Sequence, residues 1–131
     1  MSIIIRAAQT DDVQHLYEMA KRTGGGFTNL PPDRKALSTK LERAATAFAR
    51  TEDVIDDDLF VFVMENTATG EVRGTCQIFS RVGQKWPFYS YRLGMLTQHS
   101  VELDKTFRAE MLTLSTDLEG CTEVGGLFLH P

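Results

Sequence analysis

Apolar positions change period along this chain, and the change divides it into a helical front and a β-rich remainder. Ile3-Ile4-Ile5-Arg6 is short and β-branched, which predicts a strand. Thr10 and Asp11 then offer an N-cap with acid in the first helical turn. Val13, Leu16, Tyr17 and Ala20 follow at the spacing of an amphipathic helix, closed by Lys21, Arg22 and a run of glycines. Pro31-Pro32-Asp33 opens a second helix with Asp33 as its cap and Leu37, Leu41, Ala44 and Phe48 on one face. Residues 51–58, TEDVIDDD, read as a solvated acidic loop.

From Leu59 onward the period shortens. Leu59 to Met64 is the continuous apolar run of a strand covered on both faces. ENTATGE supplies a turn. Val72 to Val82 then alternates, with Val72, Gly74, Cys76 and Ile78 set against Arg73, Thr75, Gln77 and Arg81. The two runs therefore form an antiparallel hairpin. After a bend at Trp86-Pro87, Phe88 to Thr97 alternates again, with Tyr89, Tyr91, Leu93 and Met95 on one face. Residues 107–114 give another strand, and a turn at Asp117 to Gly120 leads into the last, Thr122 to Leu129. The order β-α-α-β-β-β-β-β, with no linker, defines the class as α+β: one domain, 1–131, with a mainly antiparallel sheet. The final strand is strongly apolar and no later element covers it, which points to a partial domain.

Composition narrows the partners. The 131 residues are 42% hydrophobic and 24% charged, as in an ordinary globular protein. A net charge of −4 provides no basic face, so nucleic acid is not an expected partner. No apolar run approaches the roughly 20 residues of a membrane helix, and the N-terminus does not read as a signal peptide. Cys76 and Cys121 lie far apart and read as reduced, cytoplasmic thiols. No metal is expected.

One stretch resists a purely local reading. KRTGGGFTNLPP places Gly24, Gly25 and Gly26 in a row where a helix stop needs one glycine. Either the other two are loop filler, or they let the backbone come close to a small polar ligand.

The element order and several segments resemble a known family. IIRAAQTDDVQHLYEMAKRTGGGFTNLPPDRKAL, VFVMENTATGEVRGTCQI, WPFYSYRLG and the final LFLHP are similar to the N-terminal part of the arginine N-succinyltransferases, within the GNAT acyltransferase superfamily. TGGGFTNLP and WPFYSYRLG discriminate, since most GNAT enzymes lack both. The resemblance covers essentially the whole chain but less than half of the family's usual length. The family's coenzyme A turn, whose amides hold the phosphates, and its C-terminal half lie beyond the matched part. The implied fold is the N-terminal half of a GNAT-like domain, ending after the fourth core strand.

The resemblance implies transfer of succinyl from succinyl-CoA to the α-amino group of L-arginine, in arginine catabolism. It also implies an oligomer, either homomeric or paired with a related subunit. Such chemistry needs a base for the amine, donors for the oxyanion and alignment of the two reactants, but no enzyme nucleophile. Both cysteines are thus read as structural. Glu123, on the last strand where several GNAT enzymes place a glutamate, is the first choice for the base. The other reading of Glu123 is a carboxylate facing water. His99 and His130 are weaker candidates, and His15 carries little weight. Gly25, Gly26, Thr28 and Asn29 are implied on the arginine side. Arg92 is the candidate for the succinyl carboxylate, against a surface arginine stacked on Tyr89 or Tyr91. Glu110, Glu123 and Asp56 to Asp58 are all available to the acceptor's guanidinium. The backbone of Leu127, Phe128 and Leu129 is implied to pair with the pantetheine arm. Competing readings are a non-catalytic subunit-interaction module and a GNAT acyltransferase with a different amine acceptor.

Overall fold

Helix-forming and strand-forming segments segregate in space as they do in sequence. The computed structural model describes residues 2–130, which divide into two compact units, 2–81 with 122–130 and 82–121. In the first, strand β1 (Ile3–Ala7) leads through a 3-10 turn (Thr10–Asp12) into helix α1 (Val13–Arg22). Helix α2 (Arg34–Ala49) follows, then strands β2 (Leu59–Asn66), β3 (Glu71–Phe79) and, after the second unit, β6 (Glu123–Leu129). All pairings are antiparallel, in the order β1-β2-β3-β6. The α+β expectation holds.

The start of α1 departs from the expected Thr10–Asp11 cap. Asp12 is buried, and its carboxylate accepts the Gln9 N–H at 2.7 Å and both ends of the Arg6 guanidinium at 2.7 and 2.9 Å. An acid held by a neighbouring strand's arginine is worth more buried than at an exposed helix end. Burial works against the Asp12 carboxylate, but the Arg6 hydrogen bond, the Gln9 amide and the Arg6 charge outweigh it and lower its pKa. Arg6 also donates to Glu65 at 2.5 Å, tying β1 to β2. Helix α2 begins as expected, with the Asp33 carboxylate accepting the Lys35 and Ala36 N–H groups.

The acidic loop is not uniformly solvated, contrary to the reading of its composition. Asp58 is buried, and Arg50 holds both of its carboxylate oxygens at 2.5 and 2.7 Å. Asp57 pairs with Arg43 at 2.9 Å. Arg43 on α2 and Arg50 just past its end lie close enough to turn a like-charged run into two anchors.

Register decides which residues face the helices. Leu59, Val61 and Val63 pack with Leu16, Leu37, Leu41 and Ala44 in the core. Their partners Thr75 and Gln77, opposite Val63 and Val61, lie on the same face and are buried. The apolar set of β3 (Gly74, Cys76, Ile78) therefore turns to the opposite face, beside Phe60, Phe62 and Met64. A bulge between Met64 and Glu65 brings Val72 back to the core. The opposite face is not covered as the β2 sequence suggested. Phe48 at the end of α2 reaches Phe60 and Phe62 edge-on, but Ile5, Leu127 and Leu129 remain largely exposed. An apolar groove of about 240 Å³ runs over Ile5, Phe62, Met64, Gly74 and Leu127.

The second unit is a long hairpin. Strands β4 (Ser90–Ser100) and β5 (Lys105–Ser115) pair in unbroken register from Ser90–Ser115 to Ser100–Lys105. Tyr91 and Leu93 share a face, opposite Leu114 and Leu112. At its base, Val82 exchanges backbone hydrogen bonds with Cys121 and Gly120. The Glu119 carboxylate accepts the Phe88 N–H at 3.1 Å and fixes the preceding bend.

Candidate active site

The α1–α2 connection begins with a helix stop that consumes two glycines. Thr23 donates its N–H and its hydroxyl to the Ala20 carbonyl. Gly24 and Gly25 then take positive φ values of 68° and 80°, conformations that strain any residue with a Cβ. Gly26 does not, and a Cβ on any of the three would meet nothing within 4 Å. The backbone angles thus account for two of the three glycines. The loop then folds back through a turn, Leu30 N–H to Phe27 C=O, with Thr28 exposed and Asn29 half-buried.

This turn brings Asn29 to β6. Strand β6 pairs with β3 through a bulge: Gly125 lies opposite Gln77, and Phe128 opposite Thr75. Glu123, paired with Phe79, consequently points to the helix side, whereas Val124 points to the open side. A Cβ built on Gly125 would sit 3.1 Å from a Glu123 carboxylate oxygen and 3.2 Å from the Asn29 amide nitrogen. Two residues 94 positions apart in number, Asn29 and Glu123, thus meet over the Gly125 backbone at the edge of the sheet.

Two residues that the sequence reading passed over complete the group. Lys40 of α2 donates to the Asn29 carbonyl and, at 3.0 Å, to the Gln77 side-chain oxygen. Burial, with the Arg43 charge nearby, lowers the Lys40 pKa. Gln77 belongs to the polar alternation of β3. The sign in the sequence was that this polar set adjoins a strand whose own helix-side residues are all apolar.

The remaining candidates are placed as follows. Leu127, Phe128 and Leu129 lie on the sheet's edge strand; Phe128 packs against the core and the two leucines face the open side. His130 donates its N–H to the Arg73 carbonyl at 2.7 Å, and its ring meets the Arg22 guanidinium. His15 is exposed on α1. Arg92 belongs to the hairpin unit, where Asp117 takes its Nε and Nη2 at 2.7 and 2.6 Å, rather than a tyrosine ring. Glu110 is exposed on β5, and His99 on β4 meets the Thr106 hydroxyl at 2.9 Å. Cys76 and Cys121 are both free thiols.

A two-helix layer over an antiparallel sheet, with a polar cluster at the edge strand, matches known proteins over nearly its full length. Residues 3–131 match the family described as arginine N-succinyltransferase beta subunit, and the chain belongs to that family. Arginine N-succinyltransferases of Citrobacter koseri and Escherichia coli (strain 536) are 40% and 39% identical to it over 129 residues. In each case the alignment covers 98% of this chain and 37% of the relative, so the chain spans little more than a third of their length. The structure of arginine/ornithine succinyltransferase subunit AI from Pseudomonas aeruginosa superposes with a TM-score of 0.84 at 27% identity. That comparison covers 98% of this chain and 39% of the other.

Proposed function

We propose that this chain supplies the acceptor side of an arginine N-succinyltransferase, as the N-terminal portion of a GNAT-like domain. The enzyme transfers succinyl from succinyl-CoA to the α-amino group of L-arginine. The observation that carries the proposal is the meeting of Asn29 and Glu123 across Gly125. Both were singled out by resemblance, one for acceptor binding and one as the base.

The chemistry follows from the arrangement. The α-amine of arginine is largely protonated near neutrality and cannot attack a thioester until the proton leaves. Glu123, half-buried at the sheet edge, accepts that proton directly or through water. The amine then attacks the thioester carbonyl, and the oxyanion is held by backbone donors along the edge strand, where Leu127 to Leu129 also pair with the pantetheine arm. Collapse expels the coenzyme A thiolate; of the two protons the nitrogen sheds on becoming an amide, one returns to that thiolate and the other is released to water. Gly25, Gly26 and Thr28 border the acceptor. The assembly is an oligomer in the cytoplasm.

The test is acyl transfer by the complete protein, with succinyl-CoA or acetyl-CoA as donor and L-arginine or L-ornithine as acceptor. Succinyl transfer to the α-amine of arginine is the expected result. Preference for another amine would keep the fold and replace the acceptor. Absence of transfer to any amine would leave the chain as a non-catalytic module, a reading favoured by the uncovered apolar side of its sheet.

A further inference from the structure

Gln77 is 2% exposed, and its side-chain nitrogen has no hydrogen-bond partner among the described residues. Its orientation is not arbitrary. An ammonium only donates, so Lys40 Nζ at 3.0 Å fixes the Gln77 oxygen towards itself and turns the NH₂ group the other way. That group faces the Gly125–Gly126 step. A Cβ on Gly125 would lie 3.8 Å from the Gln77 nitrogen, and one on Gly126 would lie 3.3 Å from it. On Gly126 a Cβ would also sit 2.9 Å from the amide carbon, and φ there is +58°. Two successive glycines therefore let one carboxylate and two amide NH₂ groups close in on the β6 backbone where a Cβ would crowd them. Buried donors without a partner are rare in folded proteins and are costly to maintain. This one is held in place by a lysine that is itself partly desolvated.

We propose that Gln77 is a binding residue for the α-carboxylate of the acceptor amino acid, with Lys40 as the residue that positions its amide. The inference rests on the acceptor reading above and makes it more specific. The donors of Gln77 and Asn29 suit the carboxylate of an α-amino acid, while Glu123, beside them, suits its ammonium. The head group enters as Asn29 and Glu123, both half-buried, turn about their own side-chain bonds. A site with a buried donor waiting for this carboxylate discriminates strongly against amines that lack it.

The experiment is calorimetric titration of the complete protein with L-arginine and with agmatine, which is arginine without its carboxylate. Parent and Gln77→Leu proteins are compared, with melting curves beside them. The expected result is that Gln77→Leu weakens L-arginine about tenfold or more and leaves agmatine unchanged. Gln77→Glu, which keeps the shape but sets a negative charge at the site, should weaken L-arginine further and not weaken agmatine. That change of preference cannot come from misfolding. Equal losses for both ligands would overturn the inference while leaving arginine as the acceptor, and would mean that only water meets the Gln77 amide. The same Gln77 dependence with L-ornithine but no arginine binding would keep the inference and remove arginine. Binding of no α-amino acid would overturn both.

Discussion

The two faces of the four-stranded sheet are built from the same strands but to opposite rules. The helix side buries Thr75 and Gln77 and gathers Asn29, Lys40 and Glu123 around two glycines. The open side carries Ile5, Phe62, Met64, Leu127 and Leu129 with almost no polar atom. A strand that alternates apolar with polar is normally taken to turn its apolar set towards the helices. β3 does the reverse. Burying polar groups beneath helices costs stability, and the acceptor site proposed above would give that cost a purpose. The apolar side has no such explanation within this chain.

The contrast is sharpest between adjacent residues of β6, which point to opposite faces. Replacing Glu123 by Gln in the complete protein is expected to lower turnover by roughly 10²–10⁴, the usual range for a lost general base. Arginine binding should change little. The deficit should shrink as pH rises, because free arginine then presents more neutral amine. Val124→Ala, one residue along, should leave turnover near that of the parent. Comparable rates for Glu123→Gln and the parent at neutral pH would reduce Glu123 to a surface carboxylate and erase the functional difference between the faces.

Stability offers a second way to separate them. Leu41 is fully buried on the helix side, and Leu41→Ala should cost about 2–5 kcal/mol through lost contacts and the cavity left behind. Leu127 is 75% exposed on the open side, and Leu127→Ala in this chain should stay within about 0.5 kcal/mol. Denaturant melts of the two variants give the comparison directly. A cost at Leu127 similar to that at Leu41 would mean the open face is covered in solution.

How much of this was legible in the sequence depends on the range of the interaction. The helices, the Asp33 cap and the β2–β3 hairpin rest on local pattern, and all appear. Asn29 and Glu123, singled out by resemblance rather than periodicity, lie close together at Gly125, and their roles belong to the proposal. What escaped were contacts set by strand register and by a bulge. Nothing local says that Gln77 faces Gly125, because that depends on a one-residue irregularity in the β3–β6 pairing. Asp12 and Asp58 escaped for a related reason. Each looks like a solvated acid until a distant or differently oriented arginine, Arg6 or Arg50, takes its carboxylate.

The Asp12 pair tests the structural part of the helix side. Asp12→Asn should cost about 1–3 kcal/mol, since it leaves Arg6 with weakened partners in a half-buried position. The pH dependence has a definite sign. Asp12 is held below the usual carboxylate range, so on acidification the unfolded chain takes up the proton first. The contribution is complete above about pH 5 and is lost as pH falls through the folded value. Parent and variant stabilities should therefore converge in acid and stay apart at neutral pH. Curves that remain parallel down to acid pH would assign the cost to packing instead.

The smallest effects are expected at the glycine run, and they separate backbone need from ligand need. Gly25→Ala should cost about 1–2 kcal/mol, because φ is +80° there and a Cβ strains that conformation even in open space. Any kinetic change in that variant is confounded by the strain. Gly26 has neither a positive φ nor a neighbour within 4 Å, so Gly26→Ala should be neutral or stabilising by about 0.4–1 kcal/mol, through a less flexible unfolded chain. Its kinetics are then informative. If the third glycine keeps the loop open for the acceptor, the added methyl group should raise the Michaelis constant for arginine and leave that for succinyl-CoA nearly unchanged. Steady-state rates of the complete Gly26→Ala protein, with its melting curve, decide the point. An unchanged arginine constant in a protein of equal or greater stability would make all three glycines a matter of chain geometry, and would confine acceptor recognition to the cluster around Gln77 and Glu123.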